Sequence, residues 1–177
     1  MERYMTLIRL FSSILAAALL LSSCGNDSGR LLDFRNTMSS FTVRFDSADG
    51  EVVCEAMLNE PADDRTLTLA VVSPGRSEGV TVVCGADFCI VSAEGMEIPM
   101  SADSSRSIRD FFLILSSDTP DNLPMRSKNG EETVIEFARG SLTLDGELKP
   151  CAVTYAGMDG EMRTAVIDDF SSLYKDS

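Results

Sequence analysis

From Phe41 onward the chain alternates. Phe41, Val43 and Phe45 are separated by Thr42 and Arg44, the period of two expected of a half-buried strand. The same alternation recurs at about 51–58, 65–72, 79–84, 88–93, 96–100, 132–138, 141–145, 150–156 and 161–168. Asp49-Gly50, Asn129-Gly130, Asp145-Gly146 and Asp159-Gly160 are dipeptides that supply positive φ in tight hairpins, and Gly79, Gly85, Gly95 and Gly140 mark further reversals. Two stretches break the period. Leu31, Leu32, Phe34, Arg35 and Met38 predict a brief helix. Ile108, Phe111, Phe112 and Leu115 follow the helical stripe and predict a helix from a cap at Ser104 or Ser105 to about Ser116, ended by Asp118-Thr119-Pro120.

Read strand by strand, one face is oily: Phe41, Val43, Phe45; Cys54, Ala56, Leu58; Leu67, Leu69, Val71; Val80, Val82, Cys84; Ile135, Phe137; Leu142, Leu144; Val153, Tyr155. The other carries Thr42, Arg44, Glu55, Thr66, Thr68, Thr133 and Thr154. A sheet of some ten strands at about 4.8 Å spacing is far wider than one helix, so it must curl to cover its oily face. The predicted fold class is therefore α+β, mainly antiparallel β: a curved open half-barrel of about ten or eleven strands with one or two plug helices. Alternation does not distinguish an apolar cavity from a filled core.

The amino-terminal segment obeys a different pattern. Arg3 and Arg9 precede an apolar run from Leu10 to Leu21, and Leu21-Ser22-Ser23-Cys24 follows. The run is shorter than the ~20 apolar residues of a spanning helix. Leu-Ser-Ser-Cys resembles the bacterial lipobox, which implies removal of residues 1–23 and acylation of Cys24. Two fatty chains hold a protein stably at a bilayer where one holds it marginally. Residues 24–30 then form a lipidated tether, small and polar, and 31–177 a single domain. The expected place is the extracytoplasmic face of the cell membrane.

Charge changes the list of partners. Without residues 1–23 the chain has 13 Lys+Arg against 27 Asp+Glu, a formal charge of −14. Such an excess repels nucleic acid and anionic headgroups, so the lipid does the anchoring. Histidine is absent, which removes the commonest general base and the Ser–His–Asp and Cys–His nucleophile systems. No phosphate loop and no zinc-type Cys pair is present. No enzyme, no cofactor and no metal is expected.

Taken together, the short first helix, the Phe41-Thr42-Val43-Arg44-Phe45 strand, the hairpin at Asp49-Gly50 with strand 51–58, Val72-Ser73-Pro74-Gly75, and the ending Pro150–Tyr155, Asp159-Gly160 and Val166-Ile167-Asp168-Asp169-Phe170 resemble the LolA/LppX/RseB-like half-barrel superfamily. The resemblance spans roughly residues 31–170. It implies an open barrel of about eleven strands, lidded by helices, with an apolar cavity for acyl chains. The residues expected to line that cavity are Phe41, Val43, Phe45, Leu67, Leu69, Val82, Phe111, Phe112, Phe137 and Leu144. Soluble carriers of this superfamily lack a lipobox, so a tethered binder of lipid or of a lipoprotein's acyl chain is expected rather than a shuttle. The alternative is a scaffold or sensor that contacts an envelope protein through loops 118–130 or 59–65.

Beyond Cys24 there are Cys54, Cys84, Cys89 and Cys151. Cys84 and Cys89 flank four residues, so a hairpin would set them opposite each other within disulfide reach; both pairing and free thiols remain open. Cys54 and Cys151 sit inside strand patterns as small apolar groups.

Overall fold

The computed structural model describes residues 31–47, 50–59, 65–73, 79–127 and 130–173. Residues 1–23, expected to be removed, Cys24 with the expected tether to residue 30, Asp49, Pro74-Gly75 and Asn129 lie outside those residues. The chain divides into Met1–Leu32 and Asp33–Ser177, and the second unit holds every element named below.

A 3-10 turn, Asp33–Asn36, leads into β1 (Met38–Ser47), β2 (Gly50–Leu58), β3 (Leu67–Ser73), β4 (Thr81–Cys84), β5 (Cys89–Ala93) and β6 (Met96–Pro99). Helix α1 (Ala102–Ser116) follows, then β7 (Met125–Arg126), β8 (Thr133–Phe137), β9 (Gly140–Leu144), β10 (Pro150–Ala156) and β11 (Met162–Leu173). All eleven strands form one antiparallel sheet in the order β6-β5-β4-β3-β2-β1-β11-β10-β9-β8-β7. Two meanders thus meet at β1 and β11, which pair from Met38↔Leu173 to Phe45↔Ala165. The sheet is open: β6 and β7 are its edges, and both are short, with Pro99 ending β6.

Because β6 and β7 are opposite edges, the segment between them must cross the sheet. It does so as α1, which packs on β10 and β9 and touches β4. Phe111, Phe112, Ile114 and Leu115 are buried against the strands. Phe111 meets Phe45 at 5.3 Å and Tyr155 at 5.9 Å between ring centroids. Hence β1 residues of odd number face the helix, and the alternation of pleated strands assigns every other side chain. The architecture is an open half-barrel with a plug helix.

Several local readings change. The helix begins earlier than expected. Ser101, with extended ψ of 158°, accepts a hydrogen bond from the Ser104 amide, so the cap is Ser101 and not Ser104 or Ser105. The brief first helix is a single 3-10 turn. Thr37 closes it by donating its amide and hydroxyl to the Phe34 carbonyl, and Met38 already belongs to β1. In the β9–β10 connection the positive φ falls on Leu148 rather than Gly146, since the Asp145 carboxylate accepts from the Glu147 and Lys149 amides and sets the turn itself. Glu94 and Gly95 both take positive φ, as a two-residue hairpin loop requires. At Gly140 a Cβ would stand 1.9 Å from the Thr154 carbonyl oxygen, so only glycine fits there.

The far end of α1 is fastened by two arginines. Arg35 donates to the carbonyls of Leu115 (3.0 Å) and Ile114, which the helix end leaves without amide partners, and to the Asp118 carbonyl (2.8 Å) just beyond the helix. Its guanidinium lies 5.1 Å above the Phe137 ring. Burial pushes Arg35 down to about 10, so it remains a cation at neutral pH. Arg139 donates to the buried Asp110 carboxylate at 2.8 Å and reaches Asp118 at 3.3 Å, the latter as an ion pair rather than an aligned hydrogen bond.

Candidate functional site

The helix is shorter than the sheet is wide. Fifteen residues of α-helix span about 22 Å, against about 48 Å from edge to edge of eleven flat strands. Part of the helix-facing surface therefore stays uncovered.

One row of the sheet shows where. Phe41, Ala56, Leu69, Val82, Val91 and Ile98 pair in register from β1 to β6, one residue per strand, all on the side of α1. Phe41, Ala56 and Leu69 are buried, Val82 and Val91 half-buried, and Ile98 is 59% exposed. Ala93 and Met96 pair on the same face, and Met96 is 60% exposed. Val71, opposite Cys54, is half-buried on that face too. Every side chain in this strip is apolar. The same strands put Thr81, Ser92 and Glu97 on the other side. A row that is core at one end and open at the other is a graded apolar surface of the kind an alkyl chain can lie along.

The ten residues expected to line a cavity divide accordingly. Phe41, Val43, Leu67, Leu69, Phe111, Phe112, Phe137 and Leu144 are buried by the protein's own side chains. Phe45 and Val82 are half-buried: Val82 belongs to the exposed row, whereas Phe45 pairs with Val52 and packs on Phe111 and Tyr155. Val91, Ala93, Met96 and Ile98 lie on the same face as Val82 without having been singled out by sequence, and Val71, named on the oily face, was not among the expected lining residues. Their alternation was readable, but nothing in it told which strands the helix would leave bare.

Cys84 and Cys89 form the first rung of the β4–β5 hairpin with Cα atoms 4.3 Å apart, and the structure joins their sulfurs. They lie on the helix-facing side, in register with Leu67, and tie down the root of the open wing. The hairpin loop is held again from α1, where Arg109 donates to the Ala86 carbonyl at 2.6 Å. Cys54 is buried and its thiol is pushed up to about 11, which keeps it protonated and unreactive at neutral pH. Cys151 is half-buried at the irregularity between Pro150 and Ala152, and its thiol is likewise raised by burial.

No family model and no curated protein matches the chain. Solved structures do. The chain is similar to an uncharacterized conserved protein from Thermus thermophilus, with 12% identity, TM-score 0.47, and coverage of 85% of this chain and 90% of that one. It is similar to a LolA superfamily protein from Nitrosomonas europaea, with 9% identity, TM-score 0.43, and 83% and 93% covered. A putative outer membrane lipoprotein-sorting protein domain from Vibrio parahaemolyticus is a third, with 9% identity, TM-score 0.40, and 81% and 90% covered. Among the described residues no helix is long and apolar enough to cross a membrane.

Proposed function

We propose that this protein is a membrane-anchored lipoprotein, held by acylated Cys24 at the extracytoplasmic face, that binds a lipid or lipoprotein acyl chain along the open β3–β6 wing. The observation that carries the reading is the graded row from Leu69 through Val82 and Val91 to Ile98. Its buried end fixes the wing to the core, and its open end offers apolar surface that water solvates poorly. Each methylene buried there contributes about 0.8 kcal/mol, so a stretch of about ten carbons gains ~8 kcal/mol before the cost of association. Specificity for one headgroup is not required. The strip is lined by side chains without polar atoms, and no catalytic step is assigned to it.

The test is native mass spectrometry of the full chain purified from its own membranes. A co-purifying lipid or acylated peptide is expected. Ile98→Asp, at an exposed position where the fold tolerates a charge, should lower its occupancy about tenfold with an unchanged melting temperature. A ligand-free spectrum for the unaltered protein, or equal occupancy in the variant, would sink the reading.

A further inference from the structure

Cys84 and Cys89 lie on the same face of the sheet as the acyl-chain strip, beside its middle. The rungs of β4 and β5 run Thr81↔Ser92, Val82↔Val91, Val83↔Ile90 and Cys84↔Cys89. The bridge and the Val82–Val91 pair are therefore neighbours on one face. β6, which carries Met96 and Ile98, is held in the sheet by β5 alone. Whatever sets the spacing and twist of β4 against β5 thus sets the shape of the strip. The bridge spans a sequence separation of only 5, and so short a loop restrains the unfolded chain little. Its effect falls on the hairpin it joins.

Both cysteines are buried, with Leu67 of β3 in register beside Cys84 and α1 against β4. A bonded pair fits there with Cα atoms 4.3 Å apart. Two thiols need more room, because unbonded sulfurs stand at van der Waals distance and a packed interior yields only by moving its parts. Parting β4 from β5 at this rung shifts Val82 and Val91 with it. The way in is the hairpin loop, where Ala86, Asp87 and Phe88 are exposed. Two bonds hold that loop shut: the Gly85 amide donates to the Phe88 carbonyl, and Arg109 donates to the Ala86 carbonyl. Among the described residues no other thiol competes for the pair. Cys54 is two strands away on β2, opposite Val43 and Val71, and Cys151 lies in the other meander.

We propose that Cys84–Cys89 is a redox switch on the acyl-chain strip: joined, it holds the wing in the shape that binds the chain, and cut by a dithiol, it lets the wing relax and release it. This switch rests on the acyl-chain reading of the wing. A thiolate of the dithiol attacks one sulfur, and its second thiolate resolves the mixed disulfide. The reductant leaves as a disulfide, while Cys84 and Cys89 take up two electrons and two protons as thiols. The sulfurs become accessible when the 85–88 loop lifts against the Arg109 hydrogen bond. Because the two cysteines stay opposite each other on the ladder, a disulfide oxidant that takes the two electrons back re-forms the bond.

Photolabelling of the full chain in its own membranes with a diazirine-bearing fatty acid, with and without prior dithiothreitol, tests this. Adducts on the segment 79–99 should fall at least about fivefold on reduction and return after reoxidation with oxidised glutathione. Alkylation of the reduced, folded protein should mark Cys84 and Cys89. The Cys84→Ser/Cys89→Ser double variant should label as weakly as the reduced protein and ignore dithiothreitol. Circular dichroism of the reduced protein and of the variant verifies that the sheet persists. Equal labelling before and after reduction, thiols at 84 and 89 that never appear in the folded protein, or a dithiothreitol effect that survives in the double variant would overturn the switch. Absence of adducts from the oxidised protein is a different result: it removes the acyl-chain reading, and the switch with it.

Discussion

Arg35 shows how one residue joins distant parts of this chain. It leaves the 3-10 turn at the start of the domain and closes the end of α1, some 80 positions later, through the Leu115 carbonyl. The planar fork is what makes this possible, since Nε and both Nη atoms each reach a different carbonyl. A lysine would bring one ammonium and leave the other carbonyls unsatisfied in a part-buried site. Arg35→Lys should therefore cost about 2 kcal/mol, read as a lowered denaturant midpoint with the slope unchanged. A midpoint equal to that of the unaltered protein would show that the clamp is not stabilising. Nothing in sequence announced it. Arg35 followed the apolar Phe34 in a short helical pattern, and its partners are backbone groups, which carry no residue-type signal.

At the scale of elements, α1 is the part on which the interior depends. Phe111 is completely buried between Phe45 and Tyr155, so truncation to alanine removes a ring from a filled space and leaves a cavity. Phe111→Ala should cost about 3–5 kcal/mol in chemical denaturation; a loss below about 1 kcal/mol would mean that the helix does not plug the sheet. The stripe Ile108, Phe111, Phe112 and Leu115 was legible because a helix that buries one face must repeat at its own period. Its start was less so, as Ser101, Ser104 and Ser105 are all acceptable caps and only backbone geometry selects Ser101. β7 was missed because two residues of strand leave no alternation to read. β11 runs on to Leu173, beyond the expected end near residue 168, because the bulge at Asp169 shifts the register and disguises the continuation.

The whole molecule follows from one topological fact: consecutive strands spread outward in two meanders, and a single helix crosses between the two edges. The open antiparallel class was readable from regular turns and period-two runs. Which part of the oily face would remain bare was not, because every strand from β1 to β5 shows a similar apolar alternation. Coverage is decided by where α1 lies, and that depends on the Arg35 and Arg139 fastenings at the β8–β10 side. The bare β3–β6 wing is thus a consequence of helix length and docking rather than of strand sequence.

The most direct test of that wing is photolabelling of the full chain in its own membranes with a diazirine-bearing fatty acid, followed by peptide mapping. Adducts should concentrate on the segments carrying Val82, Val91, Met96 and Ile98, and excess unlabelled fatty acid should compete them away. Adducts spread evenly over the molecule, or gathered on the outer face around Met57, would contradict acyl-chain binding at the open wing.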